Sequence, residues 1–424
     1  MGSFNSLLIK YIKIKNKIKV VNLMKVLVIN CGSSSLKYQL LNPESGELFA
    51  IGLCERIGIE GSKMEYETPA NDFEIEIKQD MPTHKEALEL VINAITNPEY
   101  GVIKSVDEID AIGHRVVHGG EKFASSVLVT PEVMAAMEEC SELAPLHNPA
   151  NLLGIRTMQE LMPGKPNVGV FDTSFHQTMP KEAYMYALPY EDYTELKVRK
   201  YGFHGTSHKF VSGVARELLG NPAESKIIVC HLGNGGSISA VKNGKCIDTT
   251  MGLTPLQGIM MGTRCGDIDP AAVLFIKNKR GLSDKEMDDR MNKKSGILGV
   301  FGESSDCRDM EIAAAAGNER ALLAENMFAY KIRGYIGNYA AQMGGVDAIC
   351  FTGGIGENSG KVRGDVLKGL EFMGVELDTE VNSKRQKGNV LLTKETSKVK
   401  VFKIPTNEEL VIARDTYEIV NATK

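Results

Sequence analysis

Residues 26–41 read VLVINCGSSSLKYQLL. An apolar run stops on Asn30, the chain turns through Cys31, Gly32 and three serines, and a second strand-like run follows from Leu36 to Leu41. The pattern returns at residues 227–241, which read IIVCHLGNGGSISAV. Both are an apolar strand, a polar residue, a Gly/Ser turn and an alternating strand. A weaker echo links IDAIGHRVVHGG (109–120) to VDAICFTGGIGEN (346–358), a strand after an acid followed by a glycine turn. Two copies of one strand-turn-strand unit predict two related α/β lobes. Chance similarity of two glycine turns is the alternative.

Bulk properties agree with two domains, since 424 residues exceed one ordinary core. A content of 43% hydrophobic and 24% charged residues is that of a soluble globular chain. A net charge of −5 argues against a nucleic-acid or anionic-membrane partner. No apolar run approaches a membrane span. The eight cysteines are scattered without a CxxC pair, as expected of reduced cytoplasmic thiols. Residues 1–23 carry five lysines and no acid, lack the layout of a secretory signal, and read as a non-essential extension before a domain starting at Met24.

Helix signals punctuate the strands. Thr83-His84-Lys85-Glu86 is a capping box opening a helix to about Ile95. Thr130-Pro131, Asn148-Pro149 and Asp269-Pro270 each open a helix with proline at its first position. Ser207 is expected to cap a helix stopped by Gly220, residues 319–341 form a long helix, and Asn407 caps a terminal one. Residues 379–400 read as a polar surface excursion.

Three glycine turns follow apolar strands: NCGSSS (30–35), HLGNGGS (231–237) and FTGGIGEN (351–358). Such turns let backbone N–H groups converge on an anion. None is a Walker A loop, because Ile355 and Val362 stand where glycine and a hydroxyl residue belong. None is a dinucleotide fingerprint, because Ile238 and Ser359 replace its third glycine. One turn alone reads as a hairpin; three together favour phosphate binding.

His84 sits apart from the other polar clusters. His204 and His208 have i,i+4 spacing, but no glutamate follows His204 as a zinc-protease helix demands, so imidazoles facing anions fit better. A hydrogen-bonded structural role is expected for His114, His176 and His208. Arg115 and Arg264 lie in apolar, glycine-rich settings where a guanidinium grips a carboxylate or phosphate. Asp172 ends an apolar strand and reads equally well as a turn aspartate; Glu408, in the first turn of the last helix, is favourable there by helix dipole alone.

Taken together, NCGSSSLKY, GHRVVHGGEKF, PLHNP, FDTSFHQTMP, YGFHGTSH, HLGNGGS, GLTPLQGIMMGTRCGDIDP, FTGGIGEN and PTNEE resemble the acetate kinase family in order and spacing, from about residue 24 onward. The resemblance implies two duplicated actin-like (ribonuclease H-like) lobes with mixed sheets and an interlobe nucleotide cleft. It implies a first lobe of residues 24–171 plus 408–424 and a nucleotide-binding second lobe of 172–407. It also implies ATP-driven phosphorylation of acetate to acetyl phosphate and ADP, with Mg²⁺ (or Mn²⁺), in a cytoplasmic homodimer.

By that resemblance Asp172, Arg115, His204 and Arg264 carry catalysis, and Asn30 and Glu408 lie by the metal. Arg115, Val117, Leu146, His147, Phe203 and Pro255 hold acetate. The nucleotide falls to Ser33, Ser35, His231, Leu232, Gly233, Asn234 and Gly235, then Asp306, Cys307 and Arg308, then Gly354, Ile355, Gly356, Glu357 and Asn358. Other readings stay open: a propionate or butyrate kinase, a pyrophosphate-linked variant, and a non-kinase actin-like ATPase.

Overall fold

The computed structural model describes residues 24–145 and 147–423. The extension expected at residues 1–23 lies outside the described residues, and so does Leu146. Among the described residues fourteen strands form two sheets. The first contains β1 (Val26–Cys31), β2 (Ser35–Leu41), β3 (Leu48–Glu55), β4 (Lys63–Thr68), β5 (Phe73–Lys78), β6 (Ala111–Val116), β7 (Val127–Leu128) and β8 (Asn167–Phe171), in the order β5-β4-β3-β2-β1-β6-β8-β7. The second contains β9 (Lys226–Leu232), β10 (Gly236–Lys242), β11 (Lys245–Thr249), β12 (Ala348–Thr352), β13 (Val390–Leu391) and β14 (Lys400–Lys403), in the order β11-β10-β9-β12-β14-β13.

The repeat seen in the sequence is a repeat of topology. β1 pairs antiparallel with β2 and parallel with β6; β9 pairs antiparallel with β10 and parallel with β12. β8 and β14 then continue each sheet in parallel. Register matches as well, since Ile29 lies opposite His114 as Cys230 lies opposite Phe351. Asn30 and His231, the next residues, therefore hold equivalent positions. The β9–β10 turn is one residue shorter, for Leu232 pairs with Gly236 whereas Cys31 pairs with Leu36.

Each central strand is buried on both faces, as parallel strands between helices require. In β1, Leu27 and Ile29 pack with Ala87, Val91 and Met158 from helices His84–Ile95 and Asn148–Leu161. Val26 and Val28 pack on the other side with Leu410, Ile412 and Ala413 of helix Glu408–Ala422. In β9, Ile228 and Cys230 face helix Glu319–Met343, while Ile227 and Val229 face Val211 and Ala215 of helix Gly205–Leu218. Phe210 touches both of the last-named clusters' neighbours, joining helix Gly205–Leu218 to helix Glu408–Ala422. The C-terminal ends of the central strands of both sheets thus meet one cleft.

The Thr83, Thr130, Asp269 and Asn407 caps form as their sequences predict. Ser207 does not cap its helix. The helix begins at Gly205, with His204 as the N-cap at φ 57°, and Ser207 lies within it. The stretch 379–400 is only partly a surface excursion: it contains helix Thr379–Ser383 and β13, and Val390, Leu392 and Val399 are buried. Among the described residues no helix is long and apolar enough to cross a membrane.

Candidate active site

The first sheet delivers Asn30 from β1, Arg115 from β6 and Asp172 from just beyond β8. Arg115 donates from Nε to Asp172 Oδ1 at 3.0 Å and from Nη2 to Oδ2 at 2.6 Å. A third bond, 3.4 Å from Nη1, reaches Asn30 Oδ1. Asp172 is 2% exposed at its side chain, and its N–H is fixed on the Val116 carbonyl at 3.0 Å. Burial works against the Arg115 charge, but the Asp172 and Glu408 carboxylates hold its pKa above the usual arginine value. Glu408 is raised to about 7, first by burial and then by the charges of Asp172 and Glu409, with Arg115 opposing.

Helix Gly205–Leu218 starts directly on this cluster. The Gly205 N–H donates to the Asp172 carbonyl at 2.9 Å. A Cβ at Gly205 would sit 2.1 Å from that oxygen, so only glycine fits. His204, held in the left-handed region, stacks on His231 with ring centroids 4.3 Å apart. Ser237 Oγ bridges His204 Nδ1 at 2.9 Å and His208 Nε2 at 2.7 Å, and Ser207 Oγ meets His231 Nδ1 at 2.8 Å. Burial lowers the pKa of His204 well below the usual value, helped by His231, His208 and both arginines. His231 falls to about 4, by burial and then by Arg115. Neutral imidazoles at neutral pH are the result.

Arg264 lies against the second glycine turn, where a Cβ at Gly235 would be 3.2 Å from its Nη1. Its contacts are the Pro255 carbonyl at 3.4 Å and Met261 Sδ at 3.8 Å, and among the described residues it forms no ion pair. Burial depresses its pKa. The pKa of His147, the N-cap of helix Asn148–Leu161, is lowered by burial and then by the charges of Arg264 and Arg115. Val117 and Phe203 are buried in one apolar cluster, and Pro255 adjoins Arg264.

A cavity of about 640 Å³ opens beside the turn, lined by Gly233, Asn234, Asp306, Cys307, Arg308, Gly354, Ile355 and Asn358, with Ser305, Glu311, Ser359 and Arg385 completing the wall. Asp306 caps the following helix and pairs with Arg308, Nη2 to Oδ2 at 2.6 Å. Three residues that the resemblance placed on the nucleotide stand behind this wall. Leu232 and Gly356 are buried, and Glu357 Oε1 accepts from Gly353 N at 3.0 Å and Thr406 N at 3.3 Å, tying the turn in place. Ser33 and Ser35 belong to the first turn, closed by Gly32 N–H on the Ser35 carbonyl at 2.8 Å.

His114, His176 and His208 are bonded internally, to Asn167, to Cys246 and Phe203, and to Ser237. Two asparagines have a bonding role that the sequence reading missed. Asn151 Oδ1 accepts from Val117 N at 3.0 Å while its Nδ2 donates to the Cys31 carbonyl at 2.8 Å. Asn148 takes both backbone groups of His118, at 3.1 and 2.9 Å. Asn151 thus ties the end of β1 to the residue after β6, while Asn148 fixes the His118 peptide beyond it. The one signal for them was their place in and beside PLHNP.

This arrangement places two guanidinium groups and neutral imidazoles around a cleft with a side cavity of nucleotide size. Residues 25–414 match the acetokinase family. The acetate kinase of Fusobacterium nucleatum is 72% identical over 396 residues, covering 93% of this chain and 100% of that one. The crystal structure of Porphyromonas gingivalis acetate kinase superposes with a TM-score of 0.90 at 50% identity, covering 94% of this chain and 100% of the other. That of a propionate kinase from Francisella tularensis gives 0.87 at 40% identity, over 93% and 100%. The chain therefore belongs to the acetokinase family.

Proposed function

We propose that this chain is an acetate kinase, moving the ATP γ-phosphoryl group to acetate to give acetyl phosphate and ADP. The observation that carries the reading is the gathering of Arg264 and His204 against Gly235, in the turn whose Gly233 and Asn234 line the nucleotide-sized cavity, with the Arg115 charge also bearing on His204. An acetate oxygen attacks the γ-phosphorus as the bond to the β,γ-bridging oxygen breaks. Both reactants are anions, so positioning and fixed positive charge supply most of the catalysis. In this reading Arg264, free of any carboxylate among the described residues, takes the transferring group. Arg115 neutralises acetate, and neutral His204 donates to the equatorial oxygens.

Acetate needs no general base. The two bonds from Asp172 to Arg115 support an orienting role for the aspartate. In this reading Val117, Phe203 and Pro255 form the site for the methyl group. The cavity takes the adenosine, with Ser33, Ser35 and residues 231–235 along the phosphates.

Magnesium fits near Asn30 and Glu408, because the half-buried Glu408 carboxyl, which also feels the Asp172 and Glu409 charges, lacks enough positive charge to ionise fully at neutral pH. Bound there, Mg²⁺ would screen the phosphate charges. Among the described residues no group of three or more acidic, cysteine or histidine side chains could hold a metal alone, so water and phosphate would complete its shell.

We further propose lobes of 24–171 plus 408–424 and 172–407, a cytoplasmic location, and a homodimer. Helix Pro270–Arg280 buries none of its residues, and Leu274, Phe275, Leu323 and Tyr330 are exposed apolar side chains that a second copy would cover. Propionate is the second reading, since one methylene changes discrimination by only about 1–3 kcal/mol. Hydroxylamine trapping of the acyl phosphate formed from ATP with acetate, propionate or butyrate tests both. Best turnover on acetate is expected. No trapped product with any acid, despite intact ATP binding, would leave a non-kinase ATPase.

A further inference from the structure

His84, which the sequence left apart, is folded against the first glycine turn. It opens helix His84–Ile95, is 6% exposed, and its Nε2 lies 2.7 Å from the carbonyl oxygen of Gly32. A carbonyl only accepts, so Nε2 carries the proton. The preceding carbonyl, that of Cys31, is taken by Asn151 Nδ2 at 2.8 Å. Two consecutive peptide planes of the turn are thus gripped by side chains from two different helices.

A trans peptide is planar, with its N–H opposite its C=O. Fixing the Gly32 carbonyl on His84 therefore turns the Ser33 N–H to the opposite side. Ser33 is exposed, and its N–H has no protein partner among the described residues. The same turn follows Asn30, which sits on Arg115 in the cleft.

We propose that His84 is a positioning residue for the ATP γ-phosphoryl group: by clamping the Gly32 carbonyl it aims the Ser33 N–H at that anion. This rests on the kinase reading above. Without the clamp the peptide plane is free to rotate, and the donor must be ordered anew in each binding event. A backbone donor to a charged phosphoryl oxygen is among the stronger hydrogen bonds.

The test compares His84→Leu with His84→Gln in the full chain, measuring dissociation constants of ATP and ADP, turnover, the KM for acetate, and melting temperature. ADP lacks the γ-phosphoryl group. His84→Leu is expected to weaken ATP about tenfold and to slow turnover, with ADP affinity and the KM for acetate unchanged. His84→Gln, which keeps an N–H donor, restores most of the loss. Equal weakening of ATP and ADP, unchanged ATP affinity in the leucine variant, or no recovery with glutamine would each overturn the proposal. Should the leucine variant not fold, His84→Asn, with a donor too short to reach Gly32, carries the same comparison. Absence of acyl phosphate from the unaltered protein would instead refute the kinase reading.

Discussion

Arg115 and Asp172 meet edge to edge through two hydrogen bonds of 3.0 and 2.6 Å, whereas Arg264 faces the same site with no carboxylate beside it among the described residues. The two arginines should therefore fail differently. Arg115→Ala leaves a buried aspartate unpaired and should cost about 3–5 kcal/mol of stability. Arg264→Ala relieves a desolvated cation and should melt close to the unaltered protein. Both should lose on the order of 10²–10³ in turnover. Thermal melts beside acyl phosphate assays check the contrast; equal destabilisation would refute it.

The helix start at Gly205 couples His204 to Asp172. Gly205→Ala forces a Cβ into the Asp172 carbonyl, so it should destabilise by about 1–3 kcal/mol and abolish most activity without touching a ligand. His204→Asn keeps a residue tolerant of positive φ and should fold well, yet lose turnover. A circular dichroism melt with kinetics separates the two outcomes.

At Gly354 a side chain would meet nothing within 4 Å, yet the residue lines the large cavity. Gly354→Leu should fold normally and fill nucleotide space. The KM for ATP should rise about tenfold or more while that for acetate stays the same. A parallel rise in both would show that this cavity is not the adenosine site.

Acid should unfold the protein early. Burial lowers His114, His118, His176 and His231 to about 4 from an ordinary 6.5. A depressed histidine contributes stability that is full above the unfolded value and is lost as pH falls toward the folded one. At pH 5 each such histidine has given up about 2 kcal/mol. Glu408 acts in the opposite sense: raised to about 7, its contribution is complete below the ordinary 4.5 and fades as pH rises through 7. Denaturant midpoints should fall steeply from pH 7 to 5, and His114→Asn should flatten that slope. A flat profile over this range would contradict it.

Much of the fold was legible because its signals are local. Thr83 and Glu86 form the capping box they spell, and the echo between residues 26–41 and 227–241 marks central strands that hold equivalent places in their two sheets. Ser207 misled because the real helix start has no local signal: it depends on the Asp172 carbonyl, far along the chain. Arg115, Asp172, His204 and Arg264 stood out by residue type in an unlikely setting. His84, Asn148 and Asn151 did not, since their partners lie 52, 30 and 120 residues away; PLHNP marks the place of the asparagines without pointing to those partners. Glu357 looked like part of a phosphate turn, yet its carboxylate is spent on backbone N–H groups.

Helix Glu408–Ala422 follows every described strand in sequence, yet its Leu410, Ile412 and Ala413 cover Val26 and Val28 of the first strand. During synthesis that sheet waits with one face bare until the codons for this helix are read. The nascent chain carries that apolar surface through the intervening elongation and depends on chaperones or speed to protect it. Arg115 and Asp172 acquire their Glu408 neighbour only once this helix has emerged from the ribosome. Translation that stops before this helix yields no weakened enzyme, only an open sheet ready to aggregate.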